Sequence, residues 1–514
     1  MSNLKKAIGF GLVGWLTLAI FSVSQYPKIL AQSCYFGQGW LFCSSHLDII
    51  SKLILIISLF IIFACLVSSG FFLWKIFKEG EKPKSKKQIL GIAALFIFLA
   101  MLVVPFGSGD VVFYFWAGKS ISQGTVNVFT QDWPRENHFM EPAFKVMDRF
   151  PYGPIMAHAF GTIYDLSRDN VIAFIVLWKF IVALFFALCG WLVYKFLDFS
   201  DENQQKSNFW LLWFLQPAAL FEWVVHGHFD SIWLVFIMLA LILAKRKTWW
   251  LVLPCLVVGI WIKFIPIFFI PWFVLKWWQE VNWQTWKKML GGQVIGIAIS
   301  AAITVLVWAK FWQGPAVFET IAKLSKWAVM SVFATLYYSL EPLFKSVIGA
   351  NFHWYLTRFV QFGLLGLILY LMYPFIKKAI LVILKRDTLS ESDFLVALFI
   401  SMVVYIIFWQ KAIWPWYMIW LLPLGMMAYI KSGNEYLKRI TAWITLSPLF
   451  FYFLWIFYYQ VTGGGDIASR LGFYYYMVLS IFAYPAYNLL KLRRVGFNID
   501  KPNTASGDAL LFKK

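Results

Sequence analysis

Three groups of residues in this chain have the types and spacing to do chemistry. Asp110 follows Gly107-Ser108-Gly109 at the end of an apolar run. A carboxylate held there, at the water boundary, is partly desolvated and becomes a stronger base; the same residue equally suits the N-cap of the helical stretch it begins. The second group is Gln216-Pro217-Ala218-Ala219-Leu220-Phe221-Glu222 followed by His226-Gly227-His228-Phe229-Asp230. His226, His228 and Asp230 have the donor types for a divalent metal ion. They also suit hydrogen bonds to hydroxyls or a phosphate, or an ordinary polar hairpin, although His and Asp at a membrane turn are costly without partners. The third group is a pair of lone cations, Lys263 in WIKFIPIFFIP and Lys411 in FWQKAIWPWYMIWLLPL. Two cations beside aromatic and aliphatic surface suit a lipid phosphate with a long hydrocarbon tail, while snorkelling to an interface is the alternative for Lys263. Lys179 reads as snorkelling or structural, and Glu141 and Asp148 as solvated loop charges.

The elements that must position these residues follow from composition. Of 514 residues 61% are hydrophobic and 14% charged, which excludes a soluble globule and intrinsic disorder and places the bulk of the chain in a bilayer. The fold expected is all-α, a polytopic transmembrane bundle of about fourteen spans between 7–25 and 473–490. Four of these spans, between 208 and 278, are short and read as tilted, broken or re-entrant. Basic clusters such as Lys5/Lys6, Lys245-Arg246-Lys247, Lys377/Lys378 and Arg493/Arg494 fall on one side, which is therefore cytoplasmic together with both termini. The net charge of +20 is thus explained by membrane orientation and gives no support for a nucleic-acid partner. All six histidines lie on the opposite, extracytoplasmic side, where the chemistry is expected. The 20% aromatic content suits interfacial belts and stacking platforms alike.

Two extracytoplasmic loops are long, about 107–170 and about 310–353, and long ordered loops usually carry function. Residues 110–123 and 153–166 have helical spacing with aromatic faces and are too short to span, so interfacial helices are expected there. Cys34 and Cys43 share an extracytoplasmic loop in which a disulfide could form, whereas Cys65, Cys189 and Cys255 sit in apolar runs. The first helix reads as a signal anchor, with no convincing cleavage site after it. No CxxC, HExxH or Walker-type loop is present. The expected organisation is two extra N-terminal helices and a basic loop over 1–87, a catalytic membrane domain over 88–490 and a short basic tail over 491–514.

In order along the chain, Gly109-Asp110, Tyr152-Gly153-Pro154, QPAALFEW with HGHFD, IKFIPIFFIP and WPWYMIWLLPL together resemble the C-type (GT-C) glycosyltransferase superfamily. The resemblance covers about 88 to 490 and is strongest to polyprenyl-phosphate-mannose-dependent mannosyltransferases, bacterial polytopic enzymes among them; the catalytic subunit of the first GPI mannosyltransferase is more distant. It implies an integral plasma-membrane enzyme that moves a hexose, with mannose the expected sugar, from a polyprenyl phosphate to a hydroxyl of a lipid or glycan acceptor outside the cytoplasm. In such a site Asp110 is the general base or orients the acceptor. Lys263 and Lys411, with His228, hold the donor phosphate, and Tyr152, Glu222, His226, Asp230, Trp414, Trp416 and Tyr417 contact substrate. Gly153 stands where the family commonly has a second proline, which opens a question about the local loop shape, and Gln216 replaces the more usual Asn. The phosphate leaving group calls for a base and cations, and a divalent metal ion at the HxHxD turn stays open as a cofactor, on His226, His228 and Asp230. Single displacement would invert the anomeric centre and give an α-linked product from a β-linked donor. A lipid-linked saccharide flippase or transporter shares the spans and buried lysines. A non-catalytic scaffold is the third class, distinguished from an enzyme by its indifference to loss of Asp110.

Overall fold

A chain this apolar has little water with which to satisfy its backbone, so its N–H and C=O groups pair within helices. The computed structural model describes residues 2–30, 49–79, 85–105, 108–131, 149–199, 203–319, 330–462 and 467–495, and every regular element among them is helical. Cys34 and Cys43 lie outside the described residues. Cys65, Cys189 and Cys255 sit in helices as free thiols.

The N-terminal half runs α1 (Asn3–Leu30), α2 (Ile49–Glu79), α3 (Lys86–Leu102), α4 (Asp110–Gln123), α5 (Pro154–Ser167), α6 (Val171–Leu197), α7 (Asn203–Leu215), α8 (Asp230–Lys245), α9 (Val252–Ile262) and α10 (Ile270–Glu280). The remainder holds α11 (Trp286–Trp308), α12 (Val332–Ile348), α13 (Phe352–Ile383), α14 (Glu391–Val404), α15 (Pro415–Ile419), α16 (Leu421–Ser432), α17 (Glu435–Thr462), α18 (Ile467–Met477) and α19 (Tyr484–Val495). Among the described residues six stretches, Asn3–Val23, Ile57–Glu79, Val171–Leu197, Trp286–Trp308, Val332–Ile383 and Glu391–Trp409, are each long and apolar enough to cross a membrane. This makes the chain a multi-pass membrane protein. Other apolar runs of the sequence fold as shorter helices, such as Lys87–Leu102 and Trp249–Ile262, or as a bent pair.

That pair, Asn208–Val225 and Asp230–Lys245, turns through 114°. Its local causes are visible in order. Pro217 opens a new helical turn; Leu220–Val225 then winds as a π-helix, and Gly227 takes φ +66°, which L side chains rarely adopt. The Trp178 indole N–H on α6 donates to the Gly227 carbonyl at 2.7 Å and holds the turn in place.

The helices expected over 110–123 and 153–166 are present as α4 and α5. They pack on each other and on α6, with Val111, Phe113, Tyr114, Phe115 and Phe160 buried. Their aromatic faces therefore belong to the protein core. The tryptophans behave alike: Trp15, Trp178, Trp213, Trp223, Trp233 and Trp420 are fully buried, so interfacial belts account for only part of them.

Helix α3 begins in a capping box, where Ser85 Oγ accepts from the Gln88 N–H and the Gln88 side chain accepts from the Ser85 N–H. Its other end is closed by Lys179 of α6, whose buried ammonium donates to the carbonyls of Ala100, Met101 and Val103 at 3.2, 2.8 and 2.6 Å. Lys179 is thus structural, and it anchors the segment that delivers Asp110. Lys179→Met would strip these terminal carbonyls of their donor, at about 1–3 kcal/mol per unsatisfied group. We expect a lower thermal midpoint in detergent, measured by static light scattering, with Lys179→Arg less damaging.

Helices α1 and α2 pack against α3 and α7 and reach the bent pair directly. The Trp15 and Phe63 rings lie 6.3 and 5.6 Å from that of Phe221 in the π-helical segment. The two N-terminal helices therefore buttress the wall from which the polar residues project.

Candidate active site

The ends of α3, α4 and α9, the 226–229 turn and the segment before α15 converge on one cluster of polar side chains. Asp110 opens α4 without a side-chain cap of its own at Gly109. Its Oδ2 accepts from Tyr114 Oη and Tyr152 Oη, both at 3.4 Å, and lies 3.6 Å from His228 Nδ1. Burial raises the Asp110 carboxyl to about 6, against the opposing charge of Lys263 and a hydrogen bond from Ser108. Burial, with the Asp110 charge beside it, also holds the Tyr152 phenol well above its ordinary range, so it stays a neutral donor. Asp110 is the first residue of α4, whose N-cap is Gly109, so the N-cap role open for it in the sequence is not the one it takes.

Tyr152 is placed by its neighbour. The Gly153 N–H donates to the Ile262 carbonyl at 3.1 Å, and a Cβ on Gly153 would lie 1.9 Å from the Trp261 carbonyl oxygen. A proline here would have neither the N–H nor the room, which answers the question raised by its absence. The same contact joins the loop carrying Tyr152 to the residue before Lys263. Gly153→Ala must move one of these strands; misplacement of about 1 Å costs on the order of 100-fold in rate. We expect that loss in kcat, measured with a saturating donor, for a variant that still folds.

Lys263, directly after α9, meets Asp230 Oδ1 at the start of α8 at 2.5 Å, and the Trp233 indole N–H donates to the same oxygen at 3.1 Å. The antiparallel α8/α9 hairpin brings these two residues together. The ammonium also lies over the rings of Trp420, Tyr417 and Phe229, at 4.5, 5.2 and 5.4 Å. Asp230, a candidate metal ligand from sequence, is thus occupied as the counter-ion of Lys263. Trp414 stacks on Trp416 at 5.4 Å and Trp416 on the His228 imidazole at 4.0 Å, forming an aromatic wall against the turn.

Lys411 stands away from this group. Its ammonium lies 5.0 Å over the Phe333 ring, its carbonyl accepts from Ser331 Oγ, and among the described residues no carboxylate pairs with it. Burial and the nearby Arg358 guanidinium hold Lys411 below the usual lysine range.

On the far side of the turn sit Glu222, His226 and His228, all buried. Glu222 Oε2 lies 3.4 Å from His226 Nδ1 and 3.7 Å from His228 Nε2 and accepts from Tyr452 Oη of α17 at 3.0 Å. Among the described residues Glu222 Oε1 and His228 Nε2 have no hydrogen-bond partner. These three side chains, with their ligand atoms within 4.8 Å of one another, are the set that could hold a metal ion.

Sequence reasoning did not single out Tyr114, Tyr452 or Trp420. Tyr114 follows Asp110 by four residues, a helical spacing that could have found it. Nothing local signals Tyr452, which lies 230 residues from its partner.

Among known proteins, residues 8–280 match a family model described as alpha-(1->6)-mannopyranosyltransferase, N-terminal domain. The match starts within α1 and so takes in both N-terminal helices along with Asp110, Tyr152, the bent pair and Lys263. No curated protein sequence and no solved structure matches.

Proposed function

The chain belongs to this alpha-(1->6)-mannopyranosyltransferase family, a family of GT-C-type mannosyltransferases, and on that premise we propose that it transfers mannose from a polyprenyl-phosphate donor to the primary hydroxyl of a mannoside acceptor on the outer face of the membrane. The observation that carries this reading is a partly buried carboxylate, Asp110, held by two tyrosines in the same cluster as an aromatic-walled cation, Lys263.

A polyprenyl-phosphate sugar arrives with its leaving group in place. Asp110 takes the proton of the acceptor hydroxyl as its oxygen attacks C1 of the mannose, and the bond from C1 to the phosphate oxygen breaks on the opposite face. The electron pair leaves with the phosphate, whose growing negative charge Lys263 stabilises. Asp230 holds Lys263 in position, and Tyr114 and Tyr152 hold Asp110. Lys411, with Arg358 near it and no acidic partner among the described residues, meets the donor phosphate as it enters. Trp414, Trp416 and Tyr417 line the sugar or the first isoprene units. In-line displacement inverts the anomeric centre, so a β-linked donor gives the α linkage in the family's name.

The test is transfer of radiolabel from polyprenyl-phosphate mannose to a lipid-extract acceptor by the purified protein in nanodiscs. Label recovered in an α-1,6-mannosidase-sensitive product supports the proposal. Absence of transfer from mannose or any other polyprenyl-linked sugar, with movement of labelled lipid across vesicles, would replace it with the flippase.

A further inference from the structure

We propose that Glu222, His226 and His228 bind one divalent metal ion of the zinc type at the bend between the π-helical segment and α8. The bend makes the site. Helical spacing places Glu222 and His226 on one face, and the positive φ of Gly227 swings His228 back toward them. The resulting distances from Glu222 Oε2, 3.4 Å to His226 Nδ1 and 3.7 Å to His228 Nε2, are close to the separation of about 3.4 Å between ligands about 2.1 Å from a tetrahedral zinc. Two imidazoles and one carboxylate are a zinc set that leaves a fourth position open.

A separate observation points to a missing ligand. Among the described residues Glu222 Oε1 and His228 Nε2 are buried without a hydrogen-bond partner, an arrangement that is costly for polar atoms shut away from water. The nearby cations do not supply one: Lys179 is spent on the α3 carbonyls and Lys263 on Asp230. The surroundings also match those of a metal site, in which outer groups orient the ligands. Tyr452 Oη donates to Glu222, the Trp416 ring lies flat on His228, and Asp110 Oδ2 faces His228 Nδ1. With Nε2 on the metal, His228 must carry its proton on Nδ1, so the ion fixes which face of this imidazole meets Asp110. The metal is thus a positioning element for the base.

The test uses full-length protein purified on an affinity tag without histidine. Metal content is measured by inductively coupled plasma mass spectrometry, and Co²⁺ is then titrated into chelator-treated protein while the visible absorption of tetrahedral cobalt is recorded. The expected result is one equivalent per chain. Glu222→Gln should weaken Co²⁺ uptake by on the order of 100-fold, since even outer-sphere changes cost about 10–100-fold, whereas Asp110→Asn should retain uptake. If Glu222→Gln does not give a monodisperse gel-filtration peak, X-ray absorption at the cobalt edge of the wild type reports two imidazoles and one oxygen ligand directly. Wild type that takes up no Co²⁺, or a folded Glu222→Gln variant that takes up as much, overturns the metal site. Because uptake is read without turnover, failure of this inference leaves the proposed transfer standing, and a metal-loaded protein without transferase activity counts against the function alone.

Discussion

Asp110→Asn is expected to lower mannosyl transfer by about 10²- to 10⁴-fold, the contribution of a positioned general base, without lowering the amount of folded protein. The substitution keeps the shape of the side chain and an oxygen to accept from Tyr114 and Tyr152, so the ring cluster around it should persist. What it removes is the carboxylate that takes the acceptor proton. Single-turnover transfer in nanodiscs, beside the thermal midpoint of the same preparation, separates chemistry from folding. A folded variant that transfers at the wild-type rate would remove Asp110 from the role of base. It would also favour the non-catalytic reading, since a scaffold has no use for this carboxylate.

The second large effect is expected at Lys263, where stability and activity should part. Lys263→Met leaves Asp230 buried with its charge uncompensated, and breaking a buried pair from one side costs about 3–5 kcal/mol. The single variant should therefore unfold at lower temperature or fail to accumulate. Removing both charges at once is often close to neutral for stability, so Lys263→Met combined with Asp230→Leu should regain much of the lost midpoint. It should not regain transfer. The departing phosphate has lost its cation, a loss of on the order of 100- to 1000-fold. Full activity in the folded double variant would exclude Lys263 from the phosphate site.

Much of this site is legible in the sequence because its costs are local. A carboxylate closing Gly107-Ser108-Gly109, two histidines in a membrane turn and a lysine among isoleucines and phenylalanines are each expensive enough to announce themselves. The helices expected at 110–123 and 153–166, which fold as α4 and α5, are also readable from spacing. Pairings are not. Asp230 lies two residues from His228 in sequence and has the chemistry of a ligand, yet the α8/α9 hairpin turns it to Lys263, while Glu222 faces the histidines across a π-helical turn. That winding shifts side chains off the ordinary helical positions and leaves no plain mark in composition. Likewise Lys411 matches Lys263 in residue type and setting, but the structure seats it on Phe333. The apolar runs were readable as well; which of them cross unbroken depends on Pro217 and Gly227 acting together at one bend.

The hydrogen bond from Tyr452 to Glu222 and the stacking of Trp416 on His228 both cross from one half of the polypeptide to the other. Residues 8–280 carry Asp110, Lys263 and the histidine turn, but Trp416, Trp420 and Tyr452, which pack on them, come from beyond position 400. Cutting the gene near codon 281 would accordingly yield two fragments that each lack half of these contacts. Swapping either fragment with that of a relative would succeed only where the seam around Trp416, Trp420 and Tyr452 travels with it. The joint between the halves is then what any exchange of parts must keep intact.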